Sequence, residues 1–160
     1  MPQTTLTDAD DTAARAVRLA PLLGAGDTIC LTGPVGAGKT HFARALIQAR
    51  LDAEDRWEDV PSPSYTLVQV YDLAETEIWH VDLYRLTDPD ETIELGLDQA
   101  FDTAICLIEW PDRLGGLLPA RRLDLRFDID AQVGRRGLDI TATGPGWDAA
   151  VTALTAGGAR

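Results

Sequence analysis

Only two cysteines, Cys30 and Cys106, occur in 160 residues, along with a single methionine and 6% aromatic residues. Both cysteines lie inside apolar runs with the character of buried strands, so they read as reduced core thiols rather than as a disulfide or a metal pair. No stretch approaches the roughly 20 uninterrupted apolar residues that a membrane-spanning helix needs, which argues against a membrane role. The acidic start (Asp8, Asp10, Asp11) does not suit a secretory signal, so the expected location is cytoplasmic. Basic residues are also scarce: 14 Lys and Arg face 26 Asp and Glu, a formal net charge of -12. A field of that sign repels phosphate backbones and argues against unaided binding of DNA or RNA. The phosphate this chain can hold is therefore expected to be small and metal-chelated.

What is present is the composition of an ordinary globular protein, 45% hydrophobic and 25% charged with a mean hydropathy of -0.08. A chain of this length can bury roughly two-thirds of its unfolded surface in one core. With no repeat, low-complexity tract or linker, residues 1–160 read as a single domain. The pattern alternates between helix and strand. Asp8 is placed to cap an amphipathic helix reaching about Leu23, Thr28 to Leu31 is a short apolar strand, and Lys39 to Arg50 returns to helical spacing. Tyr65 to Tyr71 and Glu77 to Tyr84 alternate as an antiparallel pair joined by residues 72–76. Pro89 to Gly96 predicts a short helix, and Ala104 to Trp110 a strand covered on both faces. Leu123 to Ile129 and Gly137 to Thr143 flank a turn at 131–134, and Trp147 to Ala156 closes the chain as a helix. The fold class this implies is α/β, a phosphate-loop NTPase with a mixed, mainly parallel central sheet flanked by helices.

Residues 33–40 read Gly33-Pro34-Val35-Gly36-Ala37-Gly38-Lys39-Thr40, the pattern G-x-x-x-x-G-K-[ST], directly after a predicted strand and opening a predicted helix. Backbone N–H groups of such a loop wrap a phosphate at the positive end of a helix, and side chains at the glycine positions are expected to block that approach. This assigns Gly33, Val35, Gly36, Ala37, Gly38, Lys39 and Thr40 to ATP or ADP. Lys39 supplies a charge to the outer phosphates and the Thr40 hydroxyl a ligand to Mg2+. Pro34, lacking an N–H, reads as a stiffener, and His41 as an exposed helix residue.

A site of this kind needs an acid at the end of a buried strand, and Ile105-Cys106-Leu107-Ile108-Glu109 ends in one. Glu109 therefore faces the metal, or else emerges into solvent as an ordinary strand end. On the strand His80-Val81-Asp82-Leu83-Tyr84, side-chain alternation puts His80, Asp82 and Tyr84 on one face. Asp82 then either holds the water shell of the metal or orients the attacking water, and His80 supports it or is a hydrogen-bonded core histidine. Trp110 is packing or a contact surface. The catalytic set expected is Lys39, Asp82 and Glu109, with Thr40 and Glu109 on the metal.

With these residues in place the chain resembles the TsaE (YjeE) family, ATPases of the bacterial tRNA threonylcarbamoyladenosine machinery. The likeness rests on the loop together with Ser62-Pro63-Ser64-Tyr65-Thr66-Leu67-Val68, His80-Val81-Asp82-Leu83-Tyr84-Arg85-Leu86, Glu94-Leu95-Gly96-Leu97 and Ile108-Glu109-Trp110-Pro111, in that order. The resemblance implies a slow Mg2+-dependent ATPase working with TsaD and TsaB, tRNA being reached only through those partners. It implies that Ser62 lies in a segment sensing the terminal phosphate, that Trp110 matters to activity, and that Asp8 and Arg136 contribute to the adenine pocket. Departures are the Pro34-Val35 pair, His41 in place of a second threonine, and Ser64 in place of a threonine. Two other readings compete: a small-molecule kinase, which would need an arginine-bearing lid from Arg121, Arg122, Arg135 or Arg136, and a non-hydrolysing nucleotide sensor.

Overall fold

In chain order the strands are β1 (Gln3–Leu6), β2 (Thr28–Thr32), β3 (Val68–Asp72), β4 (Glu77–Asp82), β5 (Ile105–Glu109), β6 (Arg122–Ile129) and β7 (Arg136–Thr143). The helices are α1 (Ala9–Leu19), α2 (Lys39–Asp52), α3 (Asp90–Glu94), α4 (Leu97–Thr103) and α5 (Asp148–Thr155). The computed structural model describes residues 2–130, 132 and 134–156. All seven strands join one sheet in the order β1-β7-β6-β2-β5-β4-β3. The ladders β2–β6, β2–β5 and β4–β5 are parallel, while β3–β4, β6–β7 and β1–β7 are antiparallel. The α/β class with a mixed sheet, parallel at its centre, is thus the architecture found.

Burial explains the parallel centre. All five residues of β5 are buried, as are the first four of β2, because helices cover both faces there. Against one face, α1, α2 and α5 pack over Ile29, Leu31, Leu107, Leu125 and Phe127. Phe42 of α2 meets Phe127 edge-on with ring centroids 5.6 Å apart, a geometry worth about 0.5–1.5 kcal/mol beyond area burial. Against the other face, Leu97 and Ala100 of α4 pack with Cys30, Val81, Cys106 and Ile108. Both cysteines are buried free thiols, and burial pushes both thiols well above the ordinary cysteine range. Among the described residues, no helix is long and apolar enough to cross a membrane.

The structure departs from the sequence expectations at several places. The strand expected from Tyr65 begins only at Val68, after a turn at 64–66, and the one expected to reach Tyr84 ends at Asp82, which leaves Tyr84 in a turn. The first helix ends at Leu19 and continues as a 3-10 turn over Ala20–Leu22, where Pro21 supplies no amide for an α-helical bond. The strand β1 had no periodic signal; it exists because it pairs with β7 and because Arg15, 2% exposed, donates to the Thr5 carbonyl and the Thr4 hydroxyl. The short helix expected at 89–96 is α3, Asp90–Glu94, but the sequence reading did not foresee α4, which Gly96 opens with a left-handed φ of 88. The turn expected at 131–134 includes Ala131 and Val133, which lie outside the described residues.

Candidate functional site

The chain leaves the carboxyl end of β2 at the sheet centre and turns through the loop into α2. Gly38 starts that helix at φ 107, a conformation that a side chain disfavours, and no side chain caps it. The first-turn amides of α2 are therefore left for an anion. The glycines serve different ends. A Cβ at Gly33 would lie 2.3 Å from the Phe127 carbonyl oxygen, so Gly33 is demanded by packing against β6, whereas a Cβ at Gly36 would meet nothing within 4 Å. Packing against β6 is thus a reason for glycine at position 33 that the sequence reading did not foresee. Gly33 does not line the cleft, and Ala37, buried, borders a smaller crevice on the other side of the loop.

Val35, Gly36, Gly38, Lys39 and Thr40 line one cleft of about 560 Å³ with Asp82 and Glu109. Lys39 folds back, its ammonium donating to the Gly33 carbonyl and sitting 3.6 Å above the centre of the Trp110 ring. Burial pushes the Lys39 ammonium below the ordinary lysine range against the opposing pull of Glu109, Asp82 and Asp112. Trp110 itself is held left-handed at φ 60, with its ring 5.0 Å from that of Tyr84. For a bulky residue this backbone is costly and is kept where surroundings over-determine it.

The acids follow from register. Asp82 and Glu109 are directly paired across β4–β5, and Leu31 of β2 pairs with Glu109 on the other side. Side-chain alternation sends His80, Asp82 and Glu109 to the face that carries α2. There the Thr40 hydroxyl donates to Glu109 Oε1 at 2.8 Å, and His80 Nε2 lies 2.7 Å from Glu109 Oε2. Asp82 is only 4% exposed; its Oδ1 accepts from the Tyr84 amide at 3.0 Å and its Oδ2 from the Ser64 hydroxyl at 3.2 Å. Among the described residues, no group of three or more His, Cys, Asp or Glu could hold a metal alone. A hydroxyl and one carboxylate presented together suit an ion such as Mg2+, which takes hard oxygen ligands and fills the rest of its shell with phosphate and water.

Ser62 is brought near this acid at one remove. Its hydroxyl lies 2.7 Å from that of Ser64, and it is Ser64, with Tyr65, that lines the cleft. The segment is strapped to β4, because the Asp82 amide donates to the Leu67 carbonyl at 2.9 Å while Leu67 is left-handed at φ 68. The sequence reading named Ser64 only as a departure from the family pattern and gave it no role at the cleft; its position two residues from Ser62, across Pro63, was the available signal. Tyr65, 82% exposed under the Arg85 guanidinium, was likewise missed.

Asp8 and Arg136 sit on the opposite side of the loop, around a crevice of about 240 Å³ that shares Gly36, Gly38 and His41 with the larger cleft. Arg136 donates to the Gly36 carbonyl at 3.1 Å. Asp8 Oδ1 already caps α1 by accepting from the Asp11 amide at 2.7 Å. His41 is exposed, as expected, with Nε2 2.9 Å from the Ala9 carbonyl oxygen.

The family model for "Threonylcarbamoyl adenosine biosynthesis protein TsaE" matches residues 6–137, a span holding every residue named above for the site. The chain belongs to the TsaE family. It is similar to the tRNA threonylcarbamoyladenosine biosynthesis protein TsaE of Haemophilus influenzae, with 39% identity over 115 residues, 71% of this chain and 69% of that one. A second relative is the TsaE protein of Mycobacterium leprae, 38% identical over 128 residues, 74% of this chain and 77% of that one. Among solved structures it is similar to Bacillus subtilis YdiB, with a TM-score of 0.73 and 26% identity over 89% of this chain and 86% of that one. The chain therefore shares its architecture with YdiB, and the span matched by the family model takes in the loop and both strand-end acids.

Proposed function

We propose that this chain acts in tRNA threonylcarbamoyladenosine biosynthesis as a Mg2+-dependent ATPase that turns over slowly and works with TsaD and TsaB. Membership of the TsaE family supports the pathway. The observation that carries the chemistry is the meeting of Thr40 with Glu109, 2.8 Å apart, where β5 ends beneath an uncapped helix start and a buried lysine. Thr40 and Glu109 would hold Mg2+, which supplies charge neutralisation between the outer phosphates. The amides of the loop and first turn of α2 bind the phosphates, and Lys39 leaves the Gly33 carbonyl to meet them. Asp82, held by Ser64 and the Tyr84 amide, presents a fixed carboxylate at the cleft to orient water. Asp8 and Arg136 flank the crevice in which the base would sit. With an acidic surface overall, contact with tRNA runs through the partners rather than through this chain.

The four arginines considered for a kinase lid each have a partner, Arg136 through the Gly36 carbonyl at 3.1 Å. Arg121 pairs with Asp27 at 2.6 Å and covers Trp147, Arg122 pairs with Asp124 at 3.1 Å, and Arg135 donates to Gln132. The test is phosphate release from ATP by the chain alone and with purified TsaD and TsaB. Slow basal release that rises when both partners are present is expected. Rapid phosphate transfer to a metabolite without partners would replace the reading by a kinase, and no release under any condition would leave a nucleotide sensor.

A further inference from the structure

His80 is buried completely, beneath the cleft rather than in it, between the apolar floor of the sheet and the carboxylate of Glu109. Its Nε2 meets Glu109 Oε2 at 2.7 Å, while the Thr40 hydroxyl holds the other oxygen, Oε1, at 2.8 Å. A carboxylate oxygen can only accept, so Nε2 carries the proton and donates it. The other ring nitrogen, Nδ1, is buried and finds no partner among the described residues. Among the described residues the ring makes one hydrogen bond, and it goes to the acid at the site.

We propose that His80 is the positioning residue for Glu109: its Nε2–H fixes the carboxylate by Oε2 so that Oε1 stays turned to Thr40 and to the divalent cation. This rests on the nucleotide reading above and adds to it the group that sets the cation's affinity. The terminal torsion of a glutamate is broad and roughly two-fold, so a strand end alone leaves the carboxylate plane free. Two donors, one on each oxygen, remove that freedom before any ligand arrives. Groups that hydrogen-bond to a metal-binding side chain set metal affinity in this way, typically by about 10–100-fold.

The test separates the Nε2 donor from the bulk of the ring. Glutamine can place an amide N–H near the Nε2 position, asparagine is too short to reach Glu109, and leucine has no donor. ADP is titrated calorimetrically into the full chain and into His80→Gln, His80→Asn and His80→Leu, across a Mg2+ series and in EDTA. His80→Asn and His80→Leu should need about tenfold or more Mg2+ for half-maximal ADP binding. Their affinity in EDTA should stay at the wild-type level, and His80→Gln should recover most of the Mg2+ dependence. The Gln and Asn variants, both polar and both smaller than the ring, decide the matter if His80→Leu does not fold. Wild-type Mg2+ dependence in a folded His80→Asn, or equal impairment in His80→Gln and His80→Asn, overturns the proposal. Absence of Mg2+-dependent ADP binding in the unmodified chain would instead remove the nucleotide reading on which it rests.

Discussion

On one side of the phosphate loop, Thr40, Glu109 and His80 form a continuous set of contacts at 2.8 and 2.7 Å, with the acid and the histidine at most 2% exposed. On the other side Asp8 and Arg136 flank an open crevice, and Arg136 reaches the loop through one exposed bond of 3.1 Å. The first side is assembled from the ends of adjacent buried strands, whose register leaves little choice of geometry. The second is assembled from an exposed helix cap, Asp8, and the half-buried first residue of a hairpin strand, Arg136. On the proposed reading, the chemistry that tolerates little displacement, holding a cation and a water, falls on the first side, and recognition of a flat base is left to the second.

Substitutions can widen or erase this contrast. The largest effect is expected for Glu109→Ala, which should cut turnover by about a hundredfold while leaving nucleotide binding measurable, read as phosphate release beside calorimetry. Lys39→Ala comes next, lowering ATP affinity by at least about 2 kcal/mol, because a buried charge is lost from the phosphate seat. Gly33→Ala should act on the fold instead, destabilising it by about 2 kcal/mol in thermal melts, because its Cβ would meet the Phe127 carbonyl oxygen at 2.3 Å. Between the two serines, Ser64→Ala should slow turnover more than Ser62→Ala, since only Ser64 touches Asp82. The smallest effect is expected on the open side, where Arg136→Ala should weaken ATP binding by about tenfold or less. If Arg136→Ala matched Lys39→Ala, the contrast between the two sides would be wrong.

The closed side was legible in the sequence because its signals are periodic or positional. The loop follows a strand and opens a helix, Glu109 ends an unbroken apolar run, and alternation along β4 places His80 and Asp82 on one face. What sequence could not supply were contacts made by distant backbone. Gly33 was assigned to phosphate clearance alone, and the Phe127 carbonyl that also demands a glycine there is revealed by no local pattern. The strand β1 has only four residues and no alternation, and its existence depends on β7 and on the buried Arg15. Ser64 rather than Ser62 faces the cleft because the strap around Leu67 sets the direction of the segment, a tertiary effect. Asp8 was read both as a helix cap and as a pocket residue; the capping bond is formed, and the crevice takes in the same residue.

The claim at the centre is that an uncapped helix start, one lysine and a hydroxyl held by a strand-end acid seat a metal-bound nucleotide. Calorimetric titration of ATP into the purified chain, with Mg2+ and then with EDTA, tests it most directly. Saturable binding that is tighter with Mg2+ and is lost in Lys39→Ala is the predicted result. Heats no larger than dilution in both buffers, from a chain that melts cooperatively, would contradict it.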